Sequence, residues 1–121
     1  MDAGSRKIAD DYIVYRYADL LLMLAEARSL LGENPANEIN LVRQRAYGAE
    51  YSEAVWGYPN QPVDTDINEA LLRERFLEFL GEGKRWYDLC RFGESYVFKY
   101  TTATEDYQLL WPIDKTTLTN N

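Results

Sequence analysis

The apolar positions of this chain fall into three helical periods, separated by turn-forming residues and followed by a stretch of mixed pattern. From Ala18 to Leu31 the sequence ADLLLMLAEARSLL puts Leu20, Leu24, Ala27 and Leu31 on one stripe, which predicts a helix. Leu21, Leu22 and Met23 make that helix apolar almost all round, so it should be covered on more than one side, and Ala18, Ala25 and Ala27 leave room for close neighbours. The aromatic and β-branched run Tyr12–Tyr17 before it predicts an extended lead-in, and Gly32 after it a C-terminal stop. Asn34 is placed to cap a second helix with Pro35 at its first position; Ile39, Val42 and Ala46 form its stripe and Gly48 ends it. So short a connection predicts that the two helices pack as an antiparallel pair.

Residues 49–65 lose the period and contain Gly57, Pro59 and Pro62, which predicts a surface loop carrying Tyr51, Trp56 and Tyr58. Asp66 then caps a third helix, with Glu69 as the partner in a capping box. The stripe Leu72, Phe76, Phe79, Gly83, Trp86, Cys90 carries this helix unbroken to Gly93. Two glycines inside it, Gly81 and Gly83, each cost about 1 kcal/mol of helix propensity. Gly83 lies on the stripe, which predicts a close backbone approach there, sealed by Trp86; Gly81 suggests a bend. Beyond Gly93, SYVFKYTT alternates as a strand does, and YQLLWPIDKTTLTNN is a returning extended tail anchored by Trp111. The predicted fold is thus mostly α: a tetratricopeptide-like antiparallel pair, a long third helix and an extended C-terminal tail. A flexible segment, residues 1–11, precedes a single helical domain over 12–121.

Charge narrows the function classes. The net charge of −7 gives no positive face for nucleic acid. With no histidine and one cysteine, imidazole metal sites, Ser-His or Cys-His nucleophiles and an intrachain disulfide are excluded. No apolar run reaches the length of a membrane span, and any export signal would have to lie outside this sequence. No cofactor-binding pattern is present.

Four stretches in this order resemble the C-terminal region of the SusD/RagB family of outer-membrane glycan-binding lipoproteins: YRYADLLLMLAEA at 15–27, EINLVRQRA at 38–46, ERFLEFLGEGKRWYDLCRFG at 74–93 and LLWPIDKTTLTNN at 109–121. Family members are far longer, so the resemblance implies that the chain corresponds to their last part. It departs from the tetratricopeptide signature at Arg28 and Gln44, where an aromatic and an alanine are usual. The resemblance implies a cell-surface outer-membrane lipoprotein that binds oligosaccharide without cleaving it. It also implies delivery of that sugar to a SusC-like TonB-dependent transporter, the helical scaffold being the side associated with that partner. Exposed faces meant for a larger body would favour a homodimer of the chain alone.

The charged residues admit two readings. Arg16, Asp19 and Glu26 in the first helical region, with Glu82 and Arg85 in the third, are expected to form an internal polar network, an arginine of the third helix reaching Asp19 or Glu26. The competing reading makes Glu74 and Glu78 a glycosidase carboxylate pair, but adjacent acids on one helix beside Arg73, Arg75 and Arg85 favour ion pairing over catalysis. Trp56, Tyr58, Asn60 and Tyr51 are the candidates for sugar contact, because sugars lay apolar ring faces on aromatics and hydrogen-bond to amides; loop aromatics can equally fold back on the core. Cys90 reads as a buried thiol, and Asp64-Thr65-Asp66 lacks the further ligands of a calcium loop. The alternative function is a helical protein–protein interaction module that binds no sugar.

Overall fold

The computed structural model describes residues 14–110. Six helices follow in order: α1 (Tyr17–Leu30), α2 (Ala36–Tyr47), α3 (Glu53–Trp56), α4 (Ile67–Glu78), α5 (Arg85–Phe92) and α6 (Glu94–Tyr100). Short 3-10 turns lie at Gly48–Glu50, Pro62–Thr65 and Asp106–Leu109, and there is no strand among the described residues. The predicted helical class and the α1/α2 pair are both present. The flexible segment 1–11, the Trp111 anchor and the end of the tail lie outside the described residues.

Local signals placed the helix starts well. Asp66 Oδ1 accepts from the amides of Asn68 at 2.8 Å and Glu69 at 3.4 Å, capping α4 as expected. Glu69 does not close a capping box; its carboxylate takes Lys99 Nζ at 2.6 Å and the Tyr100 hydroxyl instead. Asn34 Oδ1 accepts from Ala36 N at 3.0 Å, but α2 begins at Ala36, so Pro35 flanks the helix instead of opening it.

The core has two clusters with α4 between them. Leu71 joins Ala18, Leu22 and Ala25 of α1, Ile39 and Val42 of α2, and Phe79. Its neighbour Leu72 turns the other way, to Leu89 of α5 and Val97 of α6. Burial of each leucine, isoleucine, valine or phenylalanine here is worth about 1.5–3 kcal/mol.

Three expectations are corrected. First, α1 turns inward Ala18, Leu22 and Ala25, not the predicted stripe: Leu20, Leu24 and Leu31 are 57%, 46% and 76% exposed, and Ala27 is exposed too. A helix apolar all round has no strongly favoured face, and the small alanines decided which side the neighbours approach. Second, the long third helix is two helices. Gly81 and Gly83 adopt φ of +82° and +73°, a left-handed backbone that ends α4 and re-aims the chain into α5. A Cβ on either would meet nothing within 4 Å, so neither serves a close approach. The break resets the helical phase: Phe76 and Cys90 are exposed and Trp86 is half-buried against the second cluster. Third, SYVFKYTT is mostly helix α6, because helical geometry buries Val97 completely against Leu72 and Leu89, outweighing its β-favouring composition.

Candidate functional site

The segment predicted as a loop at 49–65 folds into α3 and a 3-10 turn, and one face of α2 holds it. Asn40, Arg43 and Tyr47 stand at helical spacings of three and four, so all three side chains point the same way. Asn40 Oδ1 accepts from Tyr58 N at 2.7 Å. The Tyr47 ring stacks on Trp56 with centroids 4.5 Å apart and planes inclined by 17°. Between them, Arg43 spends its guanidinium on three partners. Nη1 donates to Trp56 O at 2.9 Å and Asp64 Oδ2 at 2.8 Å, Nη2 to Asp64 Oδ1 at 2.7 Å, and Nε to Glu74 Oε1 at 2.9 Å.

This cluster is dry: Arg43, Asp64 and Glu74 are 2%, 4% and 7% exposed. One cation faces two carboxylates. Burial raises the Glu74 carboxyl above its ordinary range, and Arg43 opposes that rise without cancelling it. Asp64 also accepts from Gln61 N at 3.0 Å, and Asp66 is committed to its cap, so the Asp64-Thr65-Asp66 stretch is occupied by protein donors. No acidic or cysteine cluster suited to a metal occurs among the described residues.

Within this frame the structure brings the four sugar-contact candidates onto one short segment. Trp56 is half-buried on Tyr47, and Tyr58 packs its ring on the first core cluster, where burial raises its hydroxyl. Asn60 is exposed and donates to Glu53 O at 2.8 Å. The Tyr51 hydroxyl is buried and has no hydrogen-bond partner among the described residues.

The polar network forms a continuous chain of ion pairs along the α1–α5 side. Arg16 pairs with Glu82 at 2.8 Å and with Glu78; Asp19 pairs with Lys84 and, at 3.5 Å, with Arg75; Glu26 takes Arg91 in a bidentate pair at 2.8 Å. Arg75 and Arg91 share Asp88 at 2.8 and 3.1 Å. The Phe79 ring lies beneath Arg16, Lys84 and Arg75 at 4.6, 4.7 and 4.9 Å. Arg85 stands apart from the acids: it donates to Leu72 O at 2.7 Å and lies over Phe76 and Tyr100. Alongside this chain runs an open groove of about 640 Å³, lined by Tyr15, Met23, Leu30 and Tyr87 among others.

Sequence reasoning missed the Arg43 cluster, although Arg43 lies on the stripe side of α2 beside Val42. Nothing local marks it, since its partners are 21 and 31 residues away. The catalytic reading of Glu74 and Glu78 loses its geometry. Glu74 is held by Arg43, and Glu78, with a side chain 4% exposed, by Arg16 and Arg45.

The sequence profile of the SusD family matches residues 2–121. A SusD superfamily protein from Bacteroides vulgatus superposes with a TM-score of 0.84 at 47% identity over 100% of this chain and 29% of that one. B. fragilis NanU gives 0.81 at 51% identity, covering 89% of this chain and 25% of its own. SusD-like protein P38 of Formosa agariphila is 35% identical over 107 residues, 84% of this chain and 21% of P38. The chain therefore spans less than a third of the length of these relatives.

Proposed function

The chain belongs to the SusD family, and from that premise we propose that it serves glycan binding in nutrient uptake, as the C-terminal scaffold of a SusD-like protein. The finer reading is that the whole protein is a surface lipoprotein of the outer membrane. It captures oligosaccharide without cleaving it and passes it to a SusC-like TonB-dependent transporter. The observation that carries this is the family match along residues 2–121, with the same helical path in relatives about half identical.

The contact residues proposed here are Tyr51, Trp56, Tyr58 and Asn60. Supporting them are the exposure of Asn60 and the partial exposure of Tyr51, Trp56 and Tyr58. Calorimetric titration of the chain with a panel of oligosaccharides tests the reading. Binding that falls about tenfold or more in Trp56→Ala, with helix content unchanged, supports it. A chain that binds no member of the panel removes it.

The exposed Leu20 and Leu24 of α1, with Leu31 just after it, favour a second reading, a helical interaction module without sugar binding. Capture of the transporter by a chain that binds no glycan is the result that selects it.

A further inference from the structure

We infer that Arg43 is a positioning residue that holds the 56–64 segment in its ligand-presenting conformation, a role resting on the proposed sugar contacts of that segment. Three features of the geometry point there. The guanidinium bridges two kinds of partner: Glu74 on the rigid α4, and Asp64 together with the Trp56 carbonyl on the segment itself. Its donors are aimed in fixed directions, and only a planar fork can serve the bidentate Asp64 contact, the Trp56 carbonyl and Glu74 at once. Lysine, with one point charge, cannot.

The attachment is also where the segment needs it. Apart from the Tyr47 stack, the Asn40 bond to Tyr58 N and the packing of the Tyr58 ring on the first core cluster, the exposed stretch around Pro59 and Asn60 is held by its own local hydrogen bonds, such as Asn60 N to Gly57 O at 2.8 Å. An exposed stretch held mainly by local bonds opens easily. Bonding Trp56 O on one side of Asn60 and Asp64 on the other to the same buried cation ties both flanks to α2 and α4. The rings of Trp56 and Tyr58 then meet a ligand without a further ordering cost.

Two variants test this, both read by hydrogen exchange and by glycan titration. Arg43→Lys keeps the charge and loses the fork. Asp64→Asn, isosteric and outside the helices, loosens only the segment side and leaves the Arg43–Glu74 pair intact. In both, the amides of Trp56, Gly57, Tyr58 and Asn60 are expected to exchange about tenfold faster, as for the loss of one charged hydrogen bond, while those of Leu22 to Ala25, released by global opening, speed up by no more than the loss of stability read in urea. Glycan affinity is expected to fall with the protection.

Unchanged exchange at residues 56–60 in both variants overturns the inference, and when Leu22 to Ala25 alone exchange faster it marks Arg43 as merely structural. Faster exchange at 56–60 with unaltered glycan affinity supports the positioning role and counts instead against the proposed contact residues.

Discussion

Arg43 faces two carboxylates in a dry site, so its removal leaves buried charge unmatched. Arg43→Met should therefore cost about 3–5 kcal/mol in urea denaturation, the range for breaking a buried pair from one side. The solvent-facing contact between Glu69 of α4 and Lys99 and Tyr100 of α6 behaves differently. Burial acts against the charged form of Glu69, but hydrogen bonds from Lys99 and Tyr100 outweigh it and hold the carboxyl below its ordinary range. A depressed folded-state pKa stabilises above the unfolded value of 4.5, and that stabilisation disappears as pH falls through the lower folded value. Glu69→Gln should accordingly lower Tm at about pH 7, with the difference shrinking progressively as the pH is taken below the unfolded value of 4.5, as a series of thermal melts would show. Residues of this kind were legible in the sequence only where they act locally. The Asp66 cap could be read because donor and acceptor lie within three residues, and the Asn34 bond to the Ala36 amide is equally local although Pro35, not Asn34, takes the cap position of α2. The Arg43 cluster could not, because its geometry is made by the fold.

Elements were predicted by period, and period fails in two physical situations met here. When a stripe continues in phase across a turn, as it does from Phe76 through Gly83 to Cys90, a broken helix reads as a continuous one. The positive φ at Gly81 and Gly83 marks the true role of these glycines. With open space around each Cβ, Gly83→Ala should cost only the left-handed backbone penalty, about 1–2 kcal/mol, and the crystal structure of the variant should show no shifted neighbour. A displaced helix would restore the close-approach reading. The second failure is α1, whose leucines surround it. There the structure, not the pattern, separates core from surface: Leu22→Ala is expected to destabilise by about 2–5 kcal/mol. The double variant Leu20→Glu, Leu24→Glu on the opposite side should change stability by no more than about 0.5 kcal/mol per site. Equal effects in chemical denaturation would mean that the inward face is misassigned.

At the scale of the molecule, the two core clusters are unequal, and α4 together with Phe92 of α5 links them with apolar side chains. The first holds seven buried residues from α1, α2, α4 and Phe79; the second holds Leu72, Leu89 and Val97. Buried apolar area sets how much free energy is needed to open a region, so the α5–α6 end should open at a lower cost than the α1–α2 pair. Opposing this, the ion pairs from Asp19 through Arg75 and Asp88 to Arg91 and Glu26 bind α5 back to α1. Several of these groups are buried, but the Arg91–Glu26 end is wet, and salt screens exposed pairs most. Native-state hydrogen exchange across a urea series therefore should resolve two openings, with the amides of α6 released before those of α1. Adding salt should lower both openings together, and Leu89→Ala should lower both by about 2–5 kcal/mol, because the contacts α5 makes are broken in each and the gap itself stays constant. A single opening shared by every helix in both proteins would mean that α4 transmits packing from end to end, and that the six helices fold and fail as one unit.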